Sequence, residues 1–512
     1  MSKYKPTIGN ECHVQLSTKT KLFSEVDNDA RGKEPNTCVS PVCYALPGML
    51  PRLNGEAIRY AILAGRAMNC KINALSRFDR KHYFYPDSPK GYQITQFYQP
   101  IIGEGYVDLP SGTRIRIEHA HLEGDAGKLT HFDTYSLVDL NRVDTPLIEI
   151  VSMPDIHSAK DAHDYCKELW RLMCFAGVTY GDLYNGNMRF DVNVSLAPEG
   201  SKKLGTRAEV KNLNSFRSVE RAVEYEIKRQ SKILDKGEKV VQETRGWSDA
   251  SGETTGQRSK EEAKDYRYMP EPDLPPVNLS AEFIETESAK LPLMPVDYRQ
   301  IFGSIIAEDI LEVLLDYPSL MSKMAEVAGV AETCLSKGVR SAAARGVAPA
   351  AHGDGPAGRA PREVGSDRTP VIKLISNLFA SVLLAEEKSA EYLNDLPSAK
   401  DLSELAEMNE KKELSSTATK EVFLKLFDPQ MKGRSSNQIA KELGLIQEND
   451  LGALEKIVDT VLAKPETKKA QDDFRSGSEK VLGFLVGQVM KESHGKANPS
   501  AVQEILRQKL TN

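Results

Sequence analysis

The stretch from Met188 to Phe216 constrains this chain more than any other, because its side chains alternate in character over two successive runs. In MRFDVNVSL, Phe190, Val192, Val194 and Leu196 fall on one side of an extended backbone, and Arg189, Asp191, Asn193 and Ser195 on the other. After a short polar break the pattern returns in GTRAEVKNLNSF. There Ala208 and Val210 lie opposite Arg207, Glu209 and Lys211, before Asn214 or Ser215 caps a helix. Two such strands present Arg189, Asp191, Asn193, Arg207, Glu209 and Lys211 to a common space. A solvated sheet face accounts for any one of these residues taken alone. Acids and bases gathered in this way suit a phosphate-and-metal site, in which carboxylates hold a hard cation and Arg or Lys hold phosphate.

A chain of 512 residues exceeds what one hydrophobic core usually supports, so two or three domains are expected. The net charge of -6 gives no global basic field, and any nucleic-acid contact must be local. Seven cysteines, an odd number, do not make a disulfide framework and point to a reducing, cytoplasmic setting. The start MSKYKPTIGN has no apolar signal core, and no run of about 18 apolar residues marks a membrane span.

Along the chain, IGNECHVQL alternates as a strand with Glu11, His13 and Gln15 on one face, so that an acid and an imidazole can share one ligand. Cys38 and Cys43 lack the second pair that a structural zinc site wants, and read as buried thiols. A helical spacing runs from Gly55 to Asn69. The segment RFDRKHYFYPDSPKGYQITQFYQP then interleaves aromatic and basic residues, as a nucleotide-gripping surface or an aromatic-packed loop would. RIRIEHAHLEGDAGKLTH sets His119, His121, Glu123 and Asp125 close together at a strand end, a pattern for hard-metal or acid/base work. DAGKL is not a Walker loop: Gly124 and Gly127 are too close, and Leu129 stands where Ser or Thr belongs. Asp139, Asn141 and Arg142 mark a turn. Glu149 sits in the apolar strand PLIEIV, where an acid is costly to bury without a partner, and is a site candidate.

One scaffold helix follows Ser158 and stops at Gly177, and a second runs from about Ser215 to Asp235. The segment holding Arg245, Arg258, Lys260, Asp265, Tyr266, Arg267 and Tyr268 reads as a binding loop or a polar linker edge. Beyond Pro295 the pattern is helical and shows no evident chemistry. Residues 338–370, rich in Ala, Gly, Arg and Pro, read as a disordered or aberrant insertion without function. The tail from residue 406 carries short helical stripes and nearly balanced charge, with Lys464, Lys468 and Lys469 usable for phosphate.

Taken together, ECHVQL, YFYPDSPKGYQITQ, HLEGDAGK, SLVDLNR, PLIEIVSMPDI, MRFDVNVSL, EVKNLNSF, DYRYMPEPDLPP and LVGQVMKESHGKANP resemble the GatB family, the B subunits of glutamyl-tRNA(Gln)/aspartyl-tRNA(Asn) amidotransferases. The likeness covers nearly the whole chain apart from residues 338–370. It implies an α+β, cradle-shaped catalytic domain of mixed sheet and helices over residues 1–295, a helical domain over 296–405 and a small helical tRNA-binding tail over 406–512. The implied chemistry is ATP-dependent phosphorylation of the side-chain carboxylate of misacylated Glu-tRNA or Asp-tRNA, followed by displacement with ammonia. That is carbon–nitrogen ligation with glutamine as the amido donor. Mg²⁺ is the implied metal. Glu11, His13, Glu123, Asp125 and Glu149 match positions the family uses around its metal and reaction centre. Asp191 joins them as a candidate ligand, with Arg189, Asn193, Arg207 and Lys211 as candidates for nucleotide phosphates. No amidase signature is present, so the resemblance implies two partners, the amidase (glutaminase) or A subunit and the small or C subunit. Gly124 departs from the family, which usually carries a second acid there, and its absence would remove a possible ligand. That departure and the insertion leave open a noncatalytic tRNA-binding or assembly role.

Overall fold

Alternating side chains become strands wherever one face can be covered, and the N-terminal half shows how. The computed structural model describes residues 3–259, 265–330, 364–447, 451–493 and 497–511. Residues up to Pro295 form one compact unit, and the described residues from Val296 onward form another. The first unit carries β1 (Tyr4–Gln15), α1 (Gly55–Ala67), β2 (Leu75–His82), β3 (Tyr92–Gln99), β4 (Gly105–Asp108), β5 (Arg114–Gly124), β6 (Lys128–His131), β7 (Ser136–Asp139) and β8 (Pro146–Ser152). These are followed by α2 (Ala159–Phe175), β9 (Met188–Pro198), β10 (Ala208–Leu213), α3 (Phe216–Asp235), β11 (Glu243–Ser248), β12 (Glu253–Ser259), β13 (Met269–Pro270) and β14 (Val277–Asn278).

Eight strands make one sheet in the order β12-β11-β10-β9-β1-β8-β5-β4. Only β10 and β11 run parallel among its pairs. β1 is central, and its apolar residues Ile8, Cys12 and Val14 are fully buried. They face the helices: α2 packs on β1 and on α3, and α3 on β9 and β10. Caps set where these helices begin. The Ser158 hydroxyl accepts from the Asp161 amide, and the Ser215 hydroxyl from the Ser218 amide. After α2, Gly177 takes the left-handed φ of 69° that a side chain disfavours. Tyr165, Leu169 and Met173 of α2 are completely buried, so replacing one such leucine by alanine costs about 2–5 kcal/mol.

The aromatic and basic segment expected as a gripping surface or loop is a hairpin, β2 and β3, joined by residues 83–91. β3 packs on β5, and β13 and β14 add to the edge of β2. This lays the segment around Tyr266 beside β2: the His82 amide donates to the Tyr266 carbonyl at 2.9 Å, and Arg80 grips Glu271 with two bonds of 2.8 and 2.9 Å. Lys260 lies outside the described residues, as does most of the 338–370 insertion.

The second unit is helical. Helices Thr369–Ser381, Ala399–Glu410 and Ser416–Lys425 bury Ile375, Leu402, Leu405 and Phe423. The boundary expected at residues 405/406 falls inside Ala399–Glu410, where Leu405 and Ala406 are both buried. A separate core appears later in the chain, built from Leu454, Val458, Leu485, Val489, Val502 and Leu506. Among the described residues no helix is long and apolar enough to cross a membrane.

Candidate active site

The helix-covered face of the sheet is apolar, so the polar alternates of β1, β5, β8 and β9 face the other way. Register aligns them. His13 pairs with Glu149 on one side and with Arg189 on the other, and Glu149 pairs onward with His121. A single row therefore crosses four strands as Arg189, His13, Glu149 and His121, with Glu11 and Asp191 paired in the adjacent row. Cross-strand pairs share a face and lie close enough for their side chains to meet. The His13 Nε2 atom is 3.7 Å from Glu11, 3.6 Å from Glu123 and 3.5 Å from Glu149. His121 is 3.6 Å from Glu149 and 3.9 Å from Glu123. Glu123 also accepts from Thr95 of β3 at 3.4 Å.

Three carboxylates around one imidazole set the electrostatics. Burial and then repulsion from Glu149 push the Glu11 carboxyl up to about 7. Burial opposes protonation of His13, yet the hydrogen bond to Glu149 and the charges of Glu123 and Glu11 raise it to about 9. Burial would also raise Glu149, but His121 and His13 hold it below the ordinary carboxylate range. His121 is raised against burial by Glu149 and Glu123, while burial and then His121 lower His119, whose ring stacks on it. The cluster thus carries more negative charge than its fixed cations balance, and protons make up the difference.

Ligand atoms of Glu11, His13 and Glu149 lie within 4.8 Å of one another, and so do those of His121, Glu123 and Glu149. Two oxygen donors and one imidazole, with protons held in their midst, fit a divalent cation. Asp125 and Asp191, expected as further ligands, belong to neither trio among the described residues. Asp125 accepts from Arg189 at 3.0 Å and lies 3.3 Å from Arg142, while Asp191 accepts from Lys211 at 2.9 Å. They balance cations from the cavity lining.

The row opens into a polar cavity of about 320 Å³ lined by His13, Glu123, Asp125, Arg189 and Asp191, together with Lys81, Tyr83, Gln93 and Tyr266. Lys81 is the residue that sequence reasoning passed over. It sits in the basic run of β2, inside the aromatic and basic segment that reads as a nucleotide-gripping surface or a packed loop, and nothing in that segment singles it out. Burial would lower its ammonium, but Glu123 and Glu149 raise it above its ordinary value. Of the four phosphate candidates, Arg189 lines the cavity and Lys211 joins it through Asp191. Asn193 is half-buried one pair further along, opposite Glu209. Arg207 is not in the site: it precedes β10 and is exposed. Ser195, expected on the site face, is buried and donates to the Thr7 carbonyl.

Gly124 also departs from expectation. Strand parity turns it away from Glu123, to the face where Phe23 and Asp144 lie within 3.3 Å of a side chain's first carbon. An acid there is not part of either trio.

An α+β unit whose mostly antiparallel sheet carries a cluster of acids and imidazoles beside Lys and Arg is the class of fold and site that this chain presents. Residues 6–285 match the GatB/GatE catalytic domain and residues 362–510 the GatB domain, and the chain belongs to this family. It is similar to the B subunit of the aspartyl/glutamyl-tRNA(Asn/Gln) amidotransferase of Persephonella marina, 42% identical over 99% of this chain and 100% of that protein. The proteins of the same name from Carboxydothermus hydrogenoformans and Geobacter sulfurreducens are 39% and 41% identical, over 100% and 99% of this chain and 99% of each relative.

Proposed function

We propose that this chain is the component of a tRNA-dependent amidotransferase that activates the side-chain carboxylate of Glu-tRNA(Gln), Asp-tRNA(Asn) or both with ATP and then amidates it. One observation carries the reading: His13 and Glu123 line a single cavity with Lys81 and Arg189, and Glu11 and Glu149 lie 3.7 and 3.5 Å from His13, with His121 3.6 Å from Glu149. The substrate carboxylate attacks the γ-phosphorus, ADP departs, and an acyl phosphate forms. Ammonia then attacks the carbonyl carbon, phosphate leaves, and the nitrogen gives up a proton.

Such a reaction asks a protein for positioning and charge stabilisation more than for covalent chemistry. Arg189 and Lys81 supply fixed positive charge to phosphoryl oxygens at the cavity, and Lys211 adds a third cation through Asp191. Glu11, His13 and Glu149 would hold Mg²⁺, which when bound neutralises phosphate oxygens. Glu123, outside that trio yet 3.6 Å from His13, takes the proton released by the attacking ammonia. The departure at Gly124 supports a noncatalytic role less well than the bare sequence did, because it leaves these groups in place.

The relatives' names speak of one component of several, so partners are part of the proposal: an amidase (glutaminase) subunit to release ammonia, and a small third subunit. The helical residues near the C-terminus contact the tRNA. ADP formation by the complex reconstituted with those partners, measured with and without each misacylated tRNA, tests it. Stimulation by at least one, with the matching Gln-tRNA or Asn-tRNA formed, is expected; no stimulation and no amidation by either overturns it.

A further inference from the structure

We propose that Asp144, in the turn before β8, is a positioning residue: from the space that a side chain at position 124 would need, it holds Lys90, and with it the 83–91 loop that supplies Tyr83 to the cavity wall. Three observations meet at this pair. A first side-chain carbon on Gly124 would stand 2.9 Å from the Asp144 Oδ1 atom and 3.3 Å from its Cα, so the Asp144 carboxylate fills the space an acid at 124 would enter. Asp144 takes a φ of 59°, the left-handed region in which glycine is the comfortable residue. An L side chain at that position is retained at a conformational cost, and aspartate is among the few that tolerate it. Finally, the carboxylate forms an ion pair with Lys90, and both side chains are buried, 5% and 9% exposed. A buried ammonium without such a partner is strongly disfavoured.

The pair is wired to the candidate site. The Asp144 amide donates to the Asp125 carbonyl at 2.9 Å, and the Asp125 amide to the Thr145 carbonyl at 2.9 Å. Asp125 in turn holds Arg189. From the other side, the loop that carries Lys90 also carries Tyr83 of the cavity wall, and Gly127 donates to the Asp87 carbonyl at 2.8 Å. Lys90 with Asp144 therefore clamps the 83–91 loop to the segment that aims Arg189. The exchange is reciprocal: glycine at 124 leaves room for aspartate at 144, and the charge that meets Lys90 comes from either position.

The kinetic consequence rests on the amidotransferase reading, whereas the exchange itself does not. The test is a cycle of four proteins in the reconstituted complex: wild type, Gly124→Glu, Asp144→Gly and the double variant, with Asp144→Asn as an isosteric control. Melting temperature and kcat/KM for both aminoacyl-tRNAs are read for each, the latter well below the lowest melting point. Gly124→Glu crowds two acids together and Asp144→Gly strands Lys90, so each lowers the melting point. The double variant recovers most of both losses, because the introduced glutamate pairs with Lys90 and the introduced glycine suits the left-handed backbone of the turn. Asp144→Asn, which keeps an acceptor for Lys90 but removes its countercharge, lowers the melting point less than Asp144→Gly and lowers kcat/KM about tenfold, and the double variant returns to within about threefold of wild type. A double variant that melts as low as the summed singles predict overturns the exchange. Wild-type kcat/KM in Asp144→Asn overturns the positioning role. If the wild-type complex amidates neither tRNA, the functional reading fails while the melting cycle still decides the exchange.

Discussion

If the cluster holds Mg²⁺ as proposed, protons and the cation compete for the same groups, and their competition is measurable without any turnover. In the metal-free protein Glu11 is raised from 4.5 to about 7 and His13 from 6.5 to about 9. Both groups bind protons more tightly when folded than when unfolded, so what they contribute to stability falls as pH rises. For His13 the contribution is fully present below pH 6.5 and is lost as pH climbs through about 9. For Glu11 the loss begins above 4.5 and is complete above about 7. Each change of this size corresponds to something on the order of 3 kcal/mol, since one pH unit of displacement is worth about 1.4 kcal/mol. A cation held by Glu11, His13 and Glu149 would replace these protons and restore the balance. Calorimetric scans of the chain with and without excess Mg²⁺, between about pH 5 and about pH 9, should therefore show little gain in melting temperature at the acid end. The gain should grow to several degrees at the alkaline end. Titration calorimetry in buffers of different ionisation enthalpy should find protons released on Mg²⁺ binding near neutral pH. A Mg²⁺ effect that is equal at both ends of the range, or no proton release, would refute the assignment of these residues to the cation.

Three further outcomes follow from the geometry. His13→Ala and Glu11→Ala should each lower amidation by about a hundredfold or more while glutamine hydrolysis by the partner stays near wild type, because charge placement at the reacting groups is lost; normal amidation rates count against the site. Arg207→Ala should leave ATP-dependent amidation within about twofold of wild type, since an exposed surface change rarely matters, and a large rise in the KM for ATP would return Arg207 to the site. Ending the chain at residue 447 should leave both the catalytic unit and the preceding helices folded, because the last helices have a core of their own, while weakening tRNA binding; unchanged affinity at the same salt would mean the tail is not the tRNA contact.

How far the site could be read in advance turns on parity and register. Alternation in β1, β5, β8 and β9 puts Glu11 with His13, and His121 with Glu123, on common faces, because a strand's period of two needs no knowledge of its neighbours. What alternation cannot supply is the pairing of His13 with Glu149 and of Glu149 with His121, since strands distant in sequence meet only through the sheet order. Lys81 was hidden for the same reason: it lies in a hairpin of another sheet, and the packing of β3 on β5 carries that hairpin to the acids. Arg207 failed differently, because the alternation extends one residue past the point where pairing begins at Ala208. Gly124 was within reach of the same rule that placed Glu123. Neighbours in a strand face opposite ways, so an acid beside Glu123 in the chain points to the other face of the sheet, and a side chain there would meet Asp144, the partner of Lys90.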